Sequence, residues 1–278
     1  MKNKTKNALI VIDGQKDFCA PGGALYVPGA EEDMLRLSTW IKTNAVELDD
    51  IFVSLDSHQP MHIAHPSFWQ DANGKMVSPF TLITYQDIMD GKYTPRYYRT
   101  KSIEYVKSLE DQGKFKLFIW PPHCLVGSTG HSLDDNLFSA IKEWAMAGRV
   151  YSTIVKGTNL LSEHYGIFMA EVQNEDPGTQ LNQKVLDLFE KYETIYLAGE
   201  AKSHCVATSL DQILNFAPNL AKKLVILDNC MSNVPGSPAP GLPSFGELAQ
   251  PIYDRAKASG VRFEQSTNVD LTKHPIHA

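Results

Sequence analysis

The sequence predicts an α/β fold, a doubly wound, mostly parallel sheet of about six strands flanked by helices. Two observations predict it. Short runs dense in Ile, Val, Leu and Tyr are nearly continuous rather than alternating, the pattern of strands buried on both faces. Between them lie stretches of helical character, so strand and helix alternate along the chain.

In order, the strand-like runs are 8–13 (ALIVID), 51–56 (IFVSLD), 150–156 (VYSTIVK), 194–200 (TIYLAGE) and 224–228 (LVILD), with a weaker sixth at 261–265. The helix-like stretches are 31–44, 132–146, 183–191, 206–215 and 245–258. Two segments exceed a minimal α/β unit. Residues 66–116 form a long insertion after the second strand, and 232–243 (SNVPGSPAPGLP) form a Pro/Gly-rich loop. Segments of that length usually cover a site or move. With 278 residues, the chain is expected to be one domain over 1–278, large enough to bury a core without staples.

Composition excludes several classes. Hydrophobic residues at 43% and charged residues at 21% argue against disorder. A net charge of −6 argues against a nucleic-acid or anionic-membrane partner, which would require a positive field. No stretch approaches the ~20 apolar residues that span a bilayer. The basic start MKNKTKNALIVID runs straight into a core strand and lacks a signal peptide's apolar region. The four cysteines, Cys19, Cys124, Cys205 and Cys230, lie far apart and form no CxxC pair. They make neither a disulfide framework nor a cysteine zinc finger, so a reduced cytoplasmic location is expected.

Three strand-like runs end in Asp13, Asp56 and Lys156, and a fourth leads to Cys205. Open parallel sheets bind ligands outside the carboxyl ends of their strands, so these four should converge on one crevice. Each alone has an ordinary explanation: a turn aspartate, a snorkelling lysine, a buried small thiol. Cys205 lies just before a helical run, where the dipole favours thiolate and backbone N–H groups can hold an oxyanion. Asp13 could take the thiol proton. Asp56-Ser-His58, with His62 and His65 following and His123 further on, has the spacing of a carboxylate–imidazole metal site. Surface histidines are the alternative.

Together these pieces resemble the nicotinamidase branch of the isochorismatase-like cysteine hydrolases. The matching segments are 8–18 (ALIVIDGQKDF), Asp56-Ser-His58, Trp120-Pro-Pro-His-Cys124, Lys156-Gly-Thr and 199–206 with Thr208 and Asp211. The WPPHC string with Gly127, Thr129 and Gly130 is the nicotinamidase-specific part. The resemblance implies that Cys205 is the nucleophile, Asp13 the general base and Lys156 the cation holding the triad. It implies an oxyanion hole from the N–H groups of Ala201 and Cys205, after a cis bond between Glu200 and Ala201. Phe18 and Trp120 would flank a pyridine ring. Asp56, His58 and His123 would bind a divalent ion, zinc first and iron or manganese next, with His62 as fourth ligand and His65 competing.

The implied substrate is a small amide, nicotinamide or pyrazinamide, hydrolysed through a thioester. Another amide or a ureido acid, or silent pyridine binding, are the alternatives. Members of that family often form homo-oligomers, and no segment here locates an interface. The chain departs from the family at Glu200, where an apolar residue is typical, and at Lys202-Ser203-His204. It also carries the insertion and the Pro/Gly loop beyond the typical length.

Overall fold

The computed structural model of the chain describes residues 6–113 and 115–272; residues 1–5, the basic part of the amino-terminal reading above, lie outside it. Six strands form the central sheet: β1 (Asn7–Ile12), β2 (Asp50–Asp56), β3 (Ser152–Lys156), β4 (Thr194–Gly199), β5 (Leu224–Leu227) and β6 (Arg262–Glu264). Their spatial order is β6-β5-β4-β1-β2-β3, and every pairing is parallel. The chain winds outward from β1 through β2 to β3. It then crosses to the other side of β1 and winds through β4 and β5 to β6. The reversal lies between β1 and β4, where doubly wound sheets open a crevice.

Side chains of β1 alternate between two apolar layers. Ala8, Ile10 and Ile12 join Phe52, Leu197 and Ile226 on one face; Leu9 and Val11 join Val53, Ala198 and Val225 on the other. The second face is covered by α1 (Ala30–Thr43), through Met34, Leu37 and Ile41, and by α3 (Asp135–Met146), through Leu137, Ile141 and Trp144. The first is covered by α4 (Gln183–Phe189), α5 (Ala207–Phe216) and α6 (Phe245–Ala258), through Phe189, Ile213 and Tyr253 among others. Helix α3 starts later than the sequence predicts, because the Asp134 carboxylate accepts the N–H groups of Asn136 and Leu137 and caps the helix there. Strand β3 is also not buried throughout. It is the sheet edge, with Ser152, Thr153 and Val155 exposed and only Ile154 and Lys156 buried.

The insertion is a folded layer rather than a loop. Trp69–Asp71 pairs antiparallel with Tyr93–Pro95, and Leu82–Ile83 with Leu117–Phe118, around α2 (Arg99–Asp111). Phe68, Trp69, Val106, Leu109, Phe118 and Trp120 form its own apolar cluster, which Phe245 of α6 joins. The return leg carries Trp120 and His123 to the carboxyl edge of the sheet. There the Ile119 N–H donates to Thr81 O (2.9 Å) and the Trp120 N–H to Ala64 O (2.8 Å).

Candidate active site

The sheet brings Asp13, Asp56, Lys156 and Cys205 together. Asp56 and Lys156 are register partners at the ends of β2 and β3. The Lys156 ammonium lies 2.9 Å from Asp13 Oδ2, 3.1 Å from Asp56 Oδ1 and 3.7 Å from Cys205 Sγ, and it donates to the His164 carbonyl at 2.9 Å. Asp13 turns out of β1 with φ of 43°, a left-handed conformation uncommon for a residue with a Cβ. Ser54 fixes it there: the Asp13 N–H donates to Ser54 Oγ (2.9 Å), and that hydroxyl donates to Asp13 Oδ1 (2.5 Å). Gln15 clamps the backbone of Asp56, donating from Nε2 to its carbonyl and accepting its N–H, both at 2.8 Å.

All four groups are buried, so each charge depends on its neighbours. Burial disfavours the Lys156 charge, but Asp13, Asp56 and Cys205 outweigh it and raise the ammonium well above its ordinary value. Burial raises the Asp13 carboxyl against the pull of Lys156. Burial likewise pushes the Cys205 thiol well up; Lys156 pulls it down, and Asp13 and Asp56 push it further. Burial and the two carboxylates thus work against the thiolate that its place before a helix favours, and Lys156, 3.7 Å from the sulfur, works for it. Desolvation and two carboxylates, all supplied by tertiary structure, oppose the local dipole.

Cys205 lies in a π-helical turn, Lys202–Val206, that leads into α5. The turn follows Gly199, whose φ is 120° and where an added Cβ would stand 2.0 Å from the Ile12 carbonyl oxygen. Only glycine lets β4 pass β1 this closely. The Glu200–Ala201 peptide is cis. Ala201 and Cys205 both line the same small cavity, of about 30 Å³, with Phe18, Trp120 and His123.

The histidines gather beside this group. His58 Nδ1 lies 3.0 Å from the Gly157 carbonyl and His123 Nδ1 lies 2.8 Å from the Pro121 carbonyl. A ring nitrogen facing a carbonyl carries a proton, so Nε2 is the ligand atom each ring offers when neutral; burial lowers His58, but Asp56 outweighs it and raises the ring above its ordinary value. The two Nε2 atoms reach Asp56 Oδ2 at 2.9 Å and 3.3 Å. Donors about 2.0–2.1 Å from one zinc-sized ion stand roughly 2.9–3.4 Å apart, so the spacing fits a shared divalent cation. The carbonyls behind the rings fix their orientation, as around metal-bound histidines. Gly157 is needed here as well, since an added Cβ would stand 2.5 Å from Asp56 Oδ1.

His62 and His65 differ. His62 uses both nitrogens, accepting the Ala64 N–H (3.2 Å) and donating toward the Ser162 carbonyl (3.3 Å). Both His65 nitrogens are buried without a well-formed hydrogen bond among the described residues. His58, His62 and His65 offer donor atoms within 4.8 Å of one another.

Two residues absent from the sequence reading complete the cavity. Tyr165 accepts the Trp120 indole N–H at 3.0 Å and fixes that ring. Glu163 accepts the His164 N–H through Oε1 (2.9 Å); its Oε2 is buried without a partner among the described residues. Both come from the irregular segment after β3, and its GTNLLSEHY carries no periodicity that could have marked them. Outside the cavity, beyond Trp120, Tyr165 and His204, lies a larger and mainly apolar one of about 510 Å³, walled by the insertion, the Pro/Gly loop and α6.

No family model matches the chain. The nicotinamidase of Saccharomyces cerevisiae is 26% identical over 200 residues, which cover 71% of this chain and 76% of that protein. Among solved structures, the yeast nicotinamidase bound to the inhibitor nicotinaldehyde is similar with a TM-score of 0.61 and 19% identity, over 93% of this chain and 99% of that one. The pyrazinamidase of Pyrococcus horikoshii in complex with zinc is similar with a TM-score of 0.52 and 18% identity, over 94% of this chain and 99% of that one. The chain thus has the isochorismatase-like fold of these nicotinamidases and pyrazinamidases.

Proposed function

We propose that this chain is a metal-assisted cysteine amidohydrolase that converts nicotinamide to nicotinate and ammonia through a thioester on Cys205, and that it also accepts pyrazinamide. The observation that carries the reading is the buried Asp13–Lys156–Cys205 cluster beside the Asp56, His58 and His123 donors. The nicotinamidase relative and the nicotinaldehyde-bound neighbour support the substrate.

Phe18 and Trp120 flank the pyridine ring and aim the carboxamide at the sulfur. Asp13 takes the thiol proton as sulfur bonds to the carbonyl carbon. Lys156 keeps Asp13 in place and balances the negative charge that gathers there. The N–H groups of Ala201 and Cys205 hold the oxyanion. The C–N bond then breaks, Asp13 returns its proton to the departing nitrogen, and ammonia leaves. Water enters and bonds to the thioester carbon as Asp13 accepts one of its protons; the C–S bond breaks, Asp13 returns that proton to the sulfur, and nicotinate leaves.

Asp56, His58 and His123 would hold a divalent cation, with His65 rather than His62 as the additional histidine, because both His62 nitrogens are engaged with Ala64 and Ser162 whereas neither His65 nitrogen makes a well-formed hydrogen bond among the described residues. When bound, that cation supplies Lewis-acid polarisation at the cavity mouth. Two neutral imidazoles and a carboxylate suit zinc, and a related amidase binds it. The cytoplasm is the proposed compartment, since a nucleophilic thiol must stay reduced. Among the described residues no helix is long and apolar enough to cross a membrane.

Ammonia release from nicotinamide, pyrazinamide and aliphatic amides tests the reading. The two aromatic amides should be hydrolysed, and Cys205→Ala should lower release about a thousandfold or more while nicotinamide still binds. Preference for aliphatic amides, or appreciable turnover without Cys205, overturns it.

A further inference from the structure

Glu200, the charge that the sequence places beside the oxyanion turn, is fully buried and does not line the Cys205 cavity. It sits where three pieces of chain meet. The turn is stitched to residues 230–234: the Gly199 N–H donates to Cys230 O (3.0 Å), the Lys202 N–H to Ser232 O (2.8 Å) and the Val234 N–H to Ser203 Oγ (3.1 Å). Glu200 adds the one side-chain stitch from the strand end, its Oε2 accepting the Ser232 N–H at 3.2 Å. The Ser232 hydroxyl in turn donates to Asp33 Oδ2 of α1 (2.5 Å). Arg36 anchors that carboxylate and the Asn229 carbonyl, each at 2.6 Å.

We propose that Glu200 is a positioning residue for the nucleophile turn: its carboxyl, seated between Ser232 and Asp33, holds residues 199–205 in register with residues 229–234 and α1. The role rests on the amidase reading above. An apolar residue fills the space but cannot receive the Ser232 N–H, and the long Pro/Gly loop that begins at Ser232 needs an anchor at its root.

The charge state agrees with this geometry. Burial, and then Asp33, raise the Glu200 carboxyl well above the usual range, against the Ser232 N–H. The groups facing it are Asp33 and Arg36 of α1, Cys19 and Cys230, and Tyr253 of α6. Arg36, the cation of this set, is spent on Asp33 and Asn229. Burial and Asp33 thus favour the neutral acid of Glu200, whose Oε2 accepts from Ser232 while its Oε1 is buried without a well-formed hydrogen bond among the described residues. A carboxyl raised in the folded state contributes its stability in full only below its ordinary value of 4.5, and the contribution is lost as pH rises from there through the folded value. Ionisation sets two buried anions face to face and loosens the turn.

Nicotinamide kinetics from about pH 6 to about pH 10 test this on the metal-loaded full chain. Glu200→Gln is isosteric and permanently neutral. It should keep kcat within about twofold at neutral pH and lose the alkaline fall that the wild type shows; Glu200→Ala should lower kcat about tenfold with KM little changed. Wild-type kcat in Glu200→Ala, or an unchanged alkaline fall in Glu200→Gln, overturns the proposal. Should Glu200→Ala fail to fold, the Glu200→Gln pH profile still decides. A wild type that releases no ammonia sinks the amidase reading instead. In that case the alkaline dependence of Cys205 alkylation by iodoacetamide, which Glu200→Gln must flatten, decides the positioning role.

Discussion

The two halves of the crevice balance charge in different ways. On the sulfur side the ammonium of Lys156 faces two carboxylates, and Ser54 completes Asp13. On the histidine side three lone-pair donors converge within 3.3 Å, and His65 brings two further nitrogens with no well-formed bond. The first half carries its own cation. The second shares that cation through Asp56, which lies 3.1 Å from Lys156 and raises the buried His58 beside it. The proposed triad and the proposed metal site therefore lean on the same lysine, one through Asp13 and the other through Asp56.

Lys156→Met should break the first half most severely. Methionine approximates the volume but leaves Asp13 and Asp56 buried without their cation, at a cost of about 3–5 kcal/mol, visible as a lower urea midpoint with ammonia release abolished. A midpoint equal to wild type would mean that the carboxylates do not depend on the lysine. Chelation should act on the second half alone. It should suppress nicotinamide hydrolysis, zinc should restore it, and the stability loss should be smaller than that of Lys156→Met.

Within that half, His65→Ala should weaken cation affinity at least about tenfold, whereas His62→Ala should keep the ion and lose about 1 kcal/mol of stability with its two hydrogen bonds. Metal analysis after dialysis reads both. The reverse ranking would reassign the additional ligand. The smallest effect concerns acid. Burial lowers His204 to about 4 and His164 to about 3. Such groups favour the folded state above the unfolded value near 6.5, and their contribution fades as pH falls below it. His204→Phe should therefore flatten the decline in urea midpoint between about pH 6.5 and about pH 4 by the share of one proton.

Much of this was legible in the chain itself, for physical reasons. Strands β1, β4 and β5 are buried on both faces, so their apolar runs announced themselves, and their parallel order fixed where Asp13 and Cys205 emerge. The edge strand β3 was read as more buried than it is, because edge position depends on the rest of the sheet. Asp56, His58 and His123 were legible from type and spacing, yet the choice between His62 and His65 was not, since it turns on which backbone groups each ring meets. Glu163 and Tyr165 stand on irregular chain without periodicity. The upward push on the Cys205 thiol was not legible, because a helix N-terminus is visible locally, whereas burial beside two carboxylates is not.

Trp120 arrives on the return leg of the insertion and Val234 on the Pro/Gly loop, while Asp13, Lys156 and Cys205 hang from the sheet. In the proposed reading, the covering segments share the choice of guest with Phe18, while residues hung from the sheet break the bond. Reshaping those covering segments beyond residues 229–234, which are hydrogen-bonded to the Cys205 turn, offers a route to altered selectivity that leaves the strands untouched.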